Sequence, residues 1–164
     1  MTRKTTAYAR KRMHTDAWQR VRHKAVNPVT EAVVRQRIAA DIDRLRTGAQ
    51  LHAYTGADAP ALANLAGRLV YITCHAARIH GLEDSPEARI LAGTANALGD
   101  LAQDHDSIER QRATIISGLA AIDRLLPHLH TFSLAGGALE LDRLLESGAG
   151  LGTDDVRRAL EATA

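Results

Sequence analysis

DAPALANLAGRLVYITCHAARIHG, residues 58–81, reads as a single apolar helix and decides the fold class. Leu62, Leu65, Ala66, Leu69, Val70, Ile72, Ala76 and Ile79 recur at spacings near three and four, the period of an α-helix. Arg68 and Arg78 are the charges that interrupt the run. Asp58 and Pro60 suit the opening turn and Gly81 the stop. A helix apolar over so much of its circumference belongs in the middle of a fold, wrapped by other helices.

The flanking sequence supplies those helices. Asn27-Pro28 is a good start for one from about Pro28 to Thr47, with Val29, Val33, Val34, Ile38, Ile42 and Leu45 on one face. Gly48 is placed to end it, leaving a loop over 48–58. Beyond Gly81, Asp84 and Glu87 have capping-box spacing around Pro86. Two apolar stripes follow, Leu91, Ala95, Leu98, Ala102 and then Ile108, Ile115, Leu119, Ile122, Leu126. The polar stretch Asp104-His105-Asp106-Ser107 lies between them. With no Gly or Pro between 100 and 117, residues 86–126 read as one long helix rather than two, ended or kinked at Pro127. Gly136-Gly137 reads as a hinge-like break before a short helix over 138–147. Residues 148–152 read as a loop, and Thr153 as the cap of a last helix with Asp154 and Asp155 in its first turn.

No stretch alternates like a strand and no period repeats. The expectation is an all-α protein: a helical bundle or long helical hairpin with short C-terminal helices (28–164) behind a basic N-terminal arm (1–27). At 164 residues one domain can bury a real core, and 45% hydrophobic residues with only 3% aromatics make that core aliphatic. Cys74 is the sole cysteine, which excludes an intrachain disulfide and suits a reducing, cytoplasmic setting. No apolar run approaches the roughly 20 residues that span a bilayer. The charged start is followed by no apolar segment of the kind a secretory signal has.

The formal charge of +2 hides an asymmetry. Arg3, Lys4, Arg10, Lys11, Arg12, Arg20, Arg22 and Lys24 face Asp16 alone, so these eight cations and one acid leave residues 1–24 at +7. Thirteen arginines against 18 acids leave the other 140 residues at −5. Every lysine lies in the first 24 residues. Residues 1–14 have no apolar period and read as a tail that is disordered or ordered by a partner. A short helix over 16–25 is expected, with Trp18, Val21 and Ala25 on one face.

The rest of the chain offers little chemistry. His75 and His80 are five apart and do not share a helix face, and Cys74-His75 diverges likewise. No HExxH, CxxC or other established ligand spacing occurs, so neither a metal nor a cofactor is expected. Asp104-His105-Asp106 points in different directions on a helix. The glycines of 136–137 and 148–152 lack both a preceding strand and a P-loop lysine. Glu83, Asp84, Glu87, Asp100, Asp104, Asp106 and Glu109 make an acidic run that suits a wet helix face or a basic partner.

The arm carries the functional signal. Arginines contact phosphates, and Tyr8 and Trp18, set among the cations, can stack on unpaired bases or anchor on a protein. The expected function is a non-enzymatic binding protein engaging nucleic acid or a ribonucleoprotein through Arg3, Lys4, Tyr8, Arg10, Lys11, Arg12, Trp18, Arg20, Arg22 and Lys24. A membrane partner is not expected, because residues 1–14 lack a continuous apolar face. A protein-only inhibitor or adaptor is the competing class, and an enzyme with an unconventional site the third; homo-oligomerisation stays open.

The basic start, Asn27-Pro28, Asp43-Arg44-Leu45-Arg46-Thr47-Gly48, Ala95-Asn96-Ala97-Leu98 and a closing helix with Asp155, Val156, Ala159 and Leu160 together resemble a loose group of small helical proteins encoded by proteobacterial phages and prophages. The resemblance spans most of the chain through motifs that are individually unspecific. It implies a setting, host-directed binding that includes blocking a host defence complex in the manner of an anti-CRISPR protein, and no catalytic residues.

Overall fold

The computed structural model describes residues 28–148 and 151–160. Among them are six α-helices, α1 (Pro28–Thr55), α2 (Ala59–Ile79), α3 (Pro86–Gln103), α4 (Ile108–Leu125), α5 (Thr131–Glu146) and α6 (Thr153–Leu160), with single 3₁₀ turns at His105–Ser107 and Leu126–His128. The fold is all-α, and no strand occurs among the described residues. Chain contacts divide it into two units, Met1–Gln36 and Arg37–Ala164. In the first, the described residues are the opening turns of α1. The expected arm and its short helix over 16–25 lie outside the described residues.

In the second unit α2 is the central element, packed against α3, α4, α5 and α6. Its boundaries follow from local chemistry. The Asp58 carboxylate accepts from the Ala61 N–H at 2.9 Å, and Pro60 sits in the first turn. At the other end Gly81 takes φ 66°, and the N–H groups of Gly81 and Leu82 donate to the carbonyls of Arg78 and Ala77. Only glycine enters that left-handed conformation without strain. Leu62, Ala66, Leu69, Val70, Ile72 and Ala76 are buried along this helix.

α1 does not end at Gly48. It continues to Thr55, and the expected loop shrinks to three residues. A Cβ at Gly48 would lie 2.9 Å from Leu65 Cδ1, so the glycine admits a close neighbour instead of terminating the helix. Ala49 and Ala53 are fully buried nearby. Arg46 and Gln50 both donate to Asp123 of α4, at 3.3 and 3.2 Å, and Gly56 lies against Arg112 further back along α4, so the two helices run antiparallel. The left-handed stop is Gly56, at φ 65°. The expected apolar stripe is also corrected. Ile42 is buried and Ile38 and Leu45 pack on the core, but Val33 and Val34 are 58% and 40% exposed. The buried face of α1 begins at Ile38 and passes to the alanines.

Residues 86–126 form two helices, not one. Asp104 takes an extended conformation, φ −134° and ψ 96°, and its carboxylate accepts from the Asp106 N–H and from Arg110. A short acidic side chain that bonds its own local backbone competes with helix propagation. The larger force is burial: Leu91, Leu98 and Leu101 meet Ile115, Leu119 and Ile122 only if the chain folds back. The hairpin is antiparallel, with Arg124 reaching Glu87, Thr94 reaching the Thr114 carbonyl and Gln111 reaching Asp100. The N-cap of α3 is Ser85, whose hydroxyl accepts from Ala88, rather than Asp84.

Gly136-Gly137 is no hinge. Both lie inside α5, and a Cβ at Gly137 would stand 3.0 Å from the Ile72 carbonyl oxygen and 3.2 Å from its Cα. The pair lets α5 lie close on α2. Thr153 is the first residue of α6 rather than its cap, and its hydroxyl donates to the Ala95 carbonyl. Asp155 reaches back instead, accepting from the Gly152 N–H at 2.8 Å.

Candidate functional site

None of the arm residues named from sequence, Arg3, Lys4, Tyr8, Arg10, Lys11, Arg12, Trp18, Arg20, Arg22 and Lys24, lies among the described residues. The described residues contain a different concentration of polar groups. On α2, Tyr71, His75 and Arg78 are spaced i, i+4, i+7 and form one stripe on a mainly apolar helix. On α5, Glu140, Arg143 and Leu144, and on α6, Asp155, Arg158 and Ala159, repeat i, i+3, i+4. The three stripes line one open cleft of about 420 Å³.

The acids position the arginines. Arg143 pairs with Glu140 at 3.1 Å, and Arg158 pairs with Asp155, which also holds the Gly152 N–H. Tyr71 is only 7% exposed, and its hydroxyl hydrogen-bonds to no described residue. Burial, then the Glu140 and Asp155 carboxylates, push that hydroxyl above the ordinary tyrosine range. The Nδ1 of His75 is buried without a hydrogen-bond partner among the described residues. Burial, then the Arg78 cation, lower the pKa of His75 below the ordinary histidine value. With three guanidiniums, two carboxylates and a neutral imidazole, the cleft is formally cationic by one charge. Its wall can offer donors to an oxyanion.

The lowered His75 pKa ties stability to pH. Between the usual value near 6.5 and the depressed folded value, the unfolded chain binds the proton and the folded chain does not. Stability contributed here is present above about pH 6.5 and declines as pH falls toward the folded value. Urea unfolding at pH 7.5 and 5.5 is expected to show a smaller acid-induced loss for His75→Gln than for the parent chain. An equal or larger loss in the variant would exclude this residue as a source.

A second polar contact joins the end of α2 to the start of α5. His80 Nε2 accepts from the His130 backbone N–H at 3.0 Å and lies 2.9 Å from Ser133 Oγ. A ring nitrogen that accepts a backbone N–H is unprotonated, so the Ser133 hydroxyl donates to it. The serine–histidine contact has the span of a nucleophile and its base. However, the histidine nitrogen is shared with the His130 amide, and no described residue orients the opposite ring nitrogen. It serves as a clasp between helix ends. Cys74 is buried with its thiol pushed up to about 12 by desolvation, far from a thiolate at neutral pH.

A second cleft of about 450 Å³ lies where α2, α3 and α6 meet, lined by Ala63, Leu98, Leu151 and Val156 together with Asn64, Arg68 and His105. Among the described residues no group of three potential metal ligands converges, and no helix is long and apolar enough to cross a membrane.

Neither a protein-family model, nor a curated protein, nor a solved structure matches the chain. The polar cleft could not be read in the sequence because its residues lie on three separate helices, with α2 distant in the chain from α5 and α6. The local signal was the i, i+4, i+7 polar stripe within the most apolar helix.

Proposed function

We propose that the chain is a non-enzymatic helical binding protein whose basic leader, residues 1–24, engages nucleic acid or a nucleic-acid-containing complex. The single supporting observation is the segregation of charge. The leader carries +7, while the remainder carries −5 and would by itself repel a polyanion. In the described part, Arg44, Arg46, Arg110, Arg112, Arg124, Arg143, Arg157 and Arg158 each lie within ion-pair distance of a carboxylate. The leader has one acid, Asp16, to set against eight cations. Attraction to phosphates falls to Arg3, Lys4, Arg10, Lys11, Arg12, Arg20, Arg22 and Lys24, with Tyr8 and Trp18 stacking on bases. The resemblance to phage and prophage proteins supplies a setting for such a binder.

The test is the salt dependence of binding to duplex and single-stranded oligonucleotides. If all eight cations release counterions, the slope of log affinity against log salt approaches about −7 on duplex DNA and about −6 on a single strand. Deleting residues 1–24 is expected to abolish it. Trp18 is the chain's one tryptophan, so its fluorescence reports the leader directly. Affinity unchanged between 50 and 200 mM salt, where about 10³-fold weakening is expected for six or more contacts, would overturn the proposal. A host protein retained after nuclease treatment would instead favour a protein-only inhibitor.

A further inference from the structure

We propose that the cleft between α2, α5 and α6 binds the phosphate group of a small phosphate monoester, held by Arg78, Arg143 and Arg158 with Tyr71 and His75 as additional donors. This site is independent of the basic leader. Three guanidiniums reach it from three different helices. A carboxylate has two oxygens in one plane and is satisfied by one guanidinium fork, whereas a phosphate monoester presents three peripheral oxygens in different directions. Convergence from three sides fits the second shape.

The two carboxylates in the lining do not fill the role of ligand. Each sits three residues before its arginine, so Glu140 and Asp155 hold Arg143 and Arg158 in place from the side. A guanidinium has five N–H donors and a carboxylate engages at most two, which leaves donors for a bound anion. The Arg143–Glu140 pair is exposed on both sides, and exposed pairs of this spacing contribute little stability, so sharing Arg143 with phosphate costs little. Tyr71 and the buried His75 Nδ1, both without hydrogen-bond partners among the described residues, are groups of the kind that a bound ligand satisfies. The volume of about 420 Å³ holds a phosphate and a small appended group.

The full-length chain is titrated with glycerol 3-phosphate, inorganic phosphate, glycerol and acetate at constant ionic strength. The histidine ring resonances are followed by NMR, with His75 assigned through His75→Gln. Glycerol 3-phosphate is expected to give a saturable shift of the His75 ring with a Kd of about 1 mM or tighter. The double variant Arg78→Gln/Arg158→Gln is expected to weaken binding at least about tenfold while melting as the parent does. Arg89→Gln, on α3 outside the cleft, is expected to leave it unchanged. No saturation by about 20 mM, equal affinity in the double variant, or acetate binding as tightly as the phosphates would each overturn the proposal. Inorganic phosphate binding as tightly as the ester would show that the cleft reads the phosphate alone and overturn the monoester assignment.

Discussion

Gly118→Ala is expected to destabilise the protein by about 2 kcal/mol or more, although alanine is the better helix former by about 1 kcal/mol. Gly118 of α4 faces Thr94 of α3. A Cβ there would lie 2.2 Å from Thr94 Oγ1, 2.5 Å from Cγ2 and 2.8 Å from Cβ. Thr94 is buried, and its hydroxyl donates to the Ile90 carbonyl and toward the Thr114 carbonyl, so it has little room to turn away. The two helices must separate, and the aliphatic layer between them loses contact along its length. Gly93→Ala is the internal comparison. It lies in α3, exposed, with nothing within 4 Å of the point an added methyl would occupy, and is expected to stabilise by up to about 1 kcal/mol through helix propensity alone. Thr94→Ala removes two of the three collisions, so the Gly118→Ala/Thr94→Ala pair is expected to be less destabilised than the sum of its parts. Urea unfolding of the set measures all of this. A Gly118→Ala variant as stable as the parent would mean that the helices do not approach as described.

Leu69→Ala is expected to cost about 2–5 kcal/mol, the range for emptying a fully buried leucine site. Leu69 is wholly inaccessible on α2, which packs against four other helices. The site is bounded by several elements that cannot all collapse into the space, so a cavity remains and the upper half of the range is expected. Against a typical total of about 5–15 kcal/mol this is a large fraction, and the variant is expected to melt far below the parent. Leu51→Ala is the contrast: Leu51 is 59% exposed on α1, and its loss is expected to change stability by no more than about 0.5 kcal/mol. Equal effects at the two positions would contradict the placement of α2 at the centre.

Most of the secondary structure was legible locally. The apolar period of residues 58–81, the Asp58 cap and the Gly81 stop are each short-range physics, and the helix forms where they place it. The misjudged glycines share one cause. Gly48, Gly136 and Gly137 look like helix breakers in one dimension, yet all lie inside helices. At Gly48 and Gly137, as at Gly118, the place of the missing side chain is occupied by a neighbouring helix. The long-helix expectation failed at Asp104 for a related reason. Nothing local forbids a straight helix through that stretch, but two apolar stripes bury more surface folded together than extended.

Helical propensity, apolar period and charge are properties of neighbouring residues. They were enough to establish that the protein is helical, that its core is aliphatic, and that its net positive charge lies in the first 24 residues. Packing settled which glycines are contacts, where the hairpin turns, and that Tyr71, His75 and Arg78 meet Glu140, Arg143, Asp155 and Arg158 around one cleft. Such meetings depend on which helix faces come together, and that choice is set by the burial of the whole chain rather than by any segment of it.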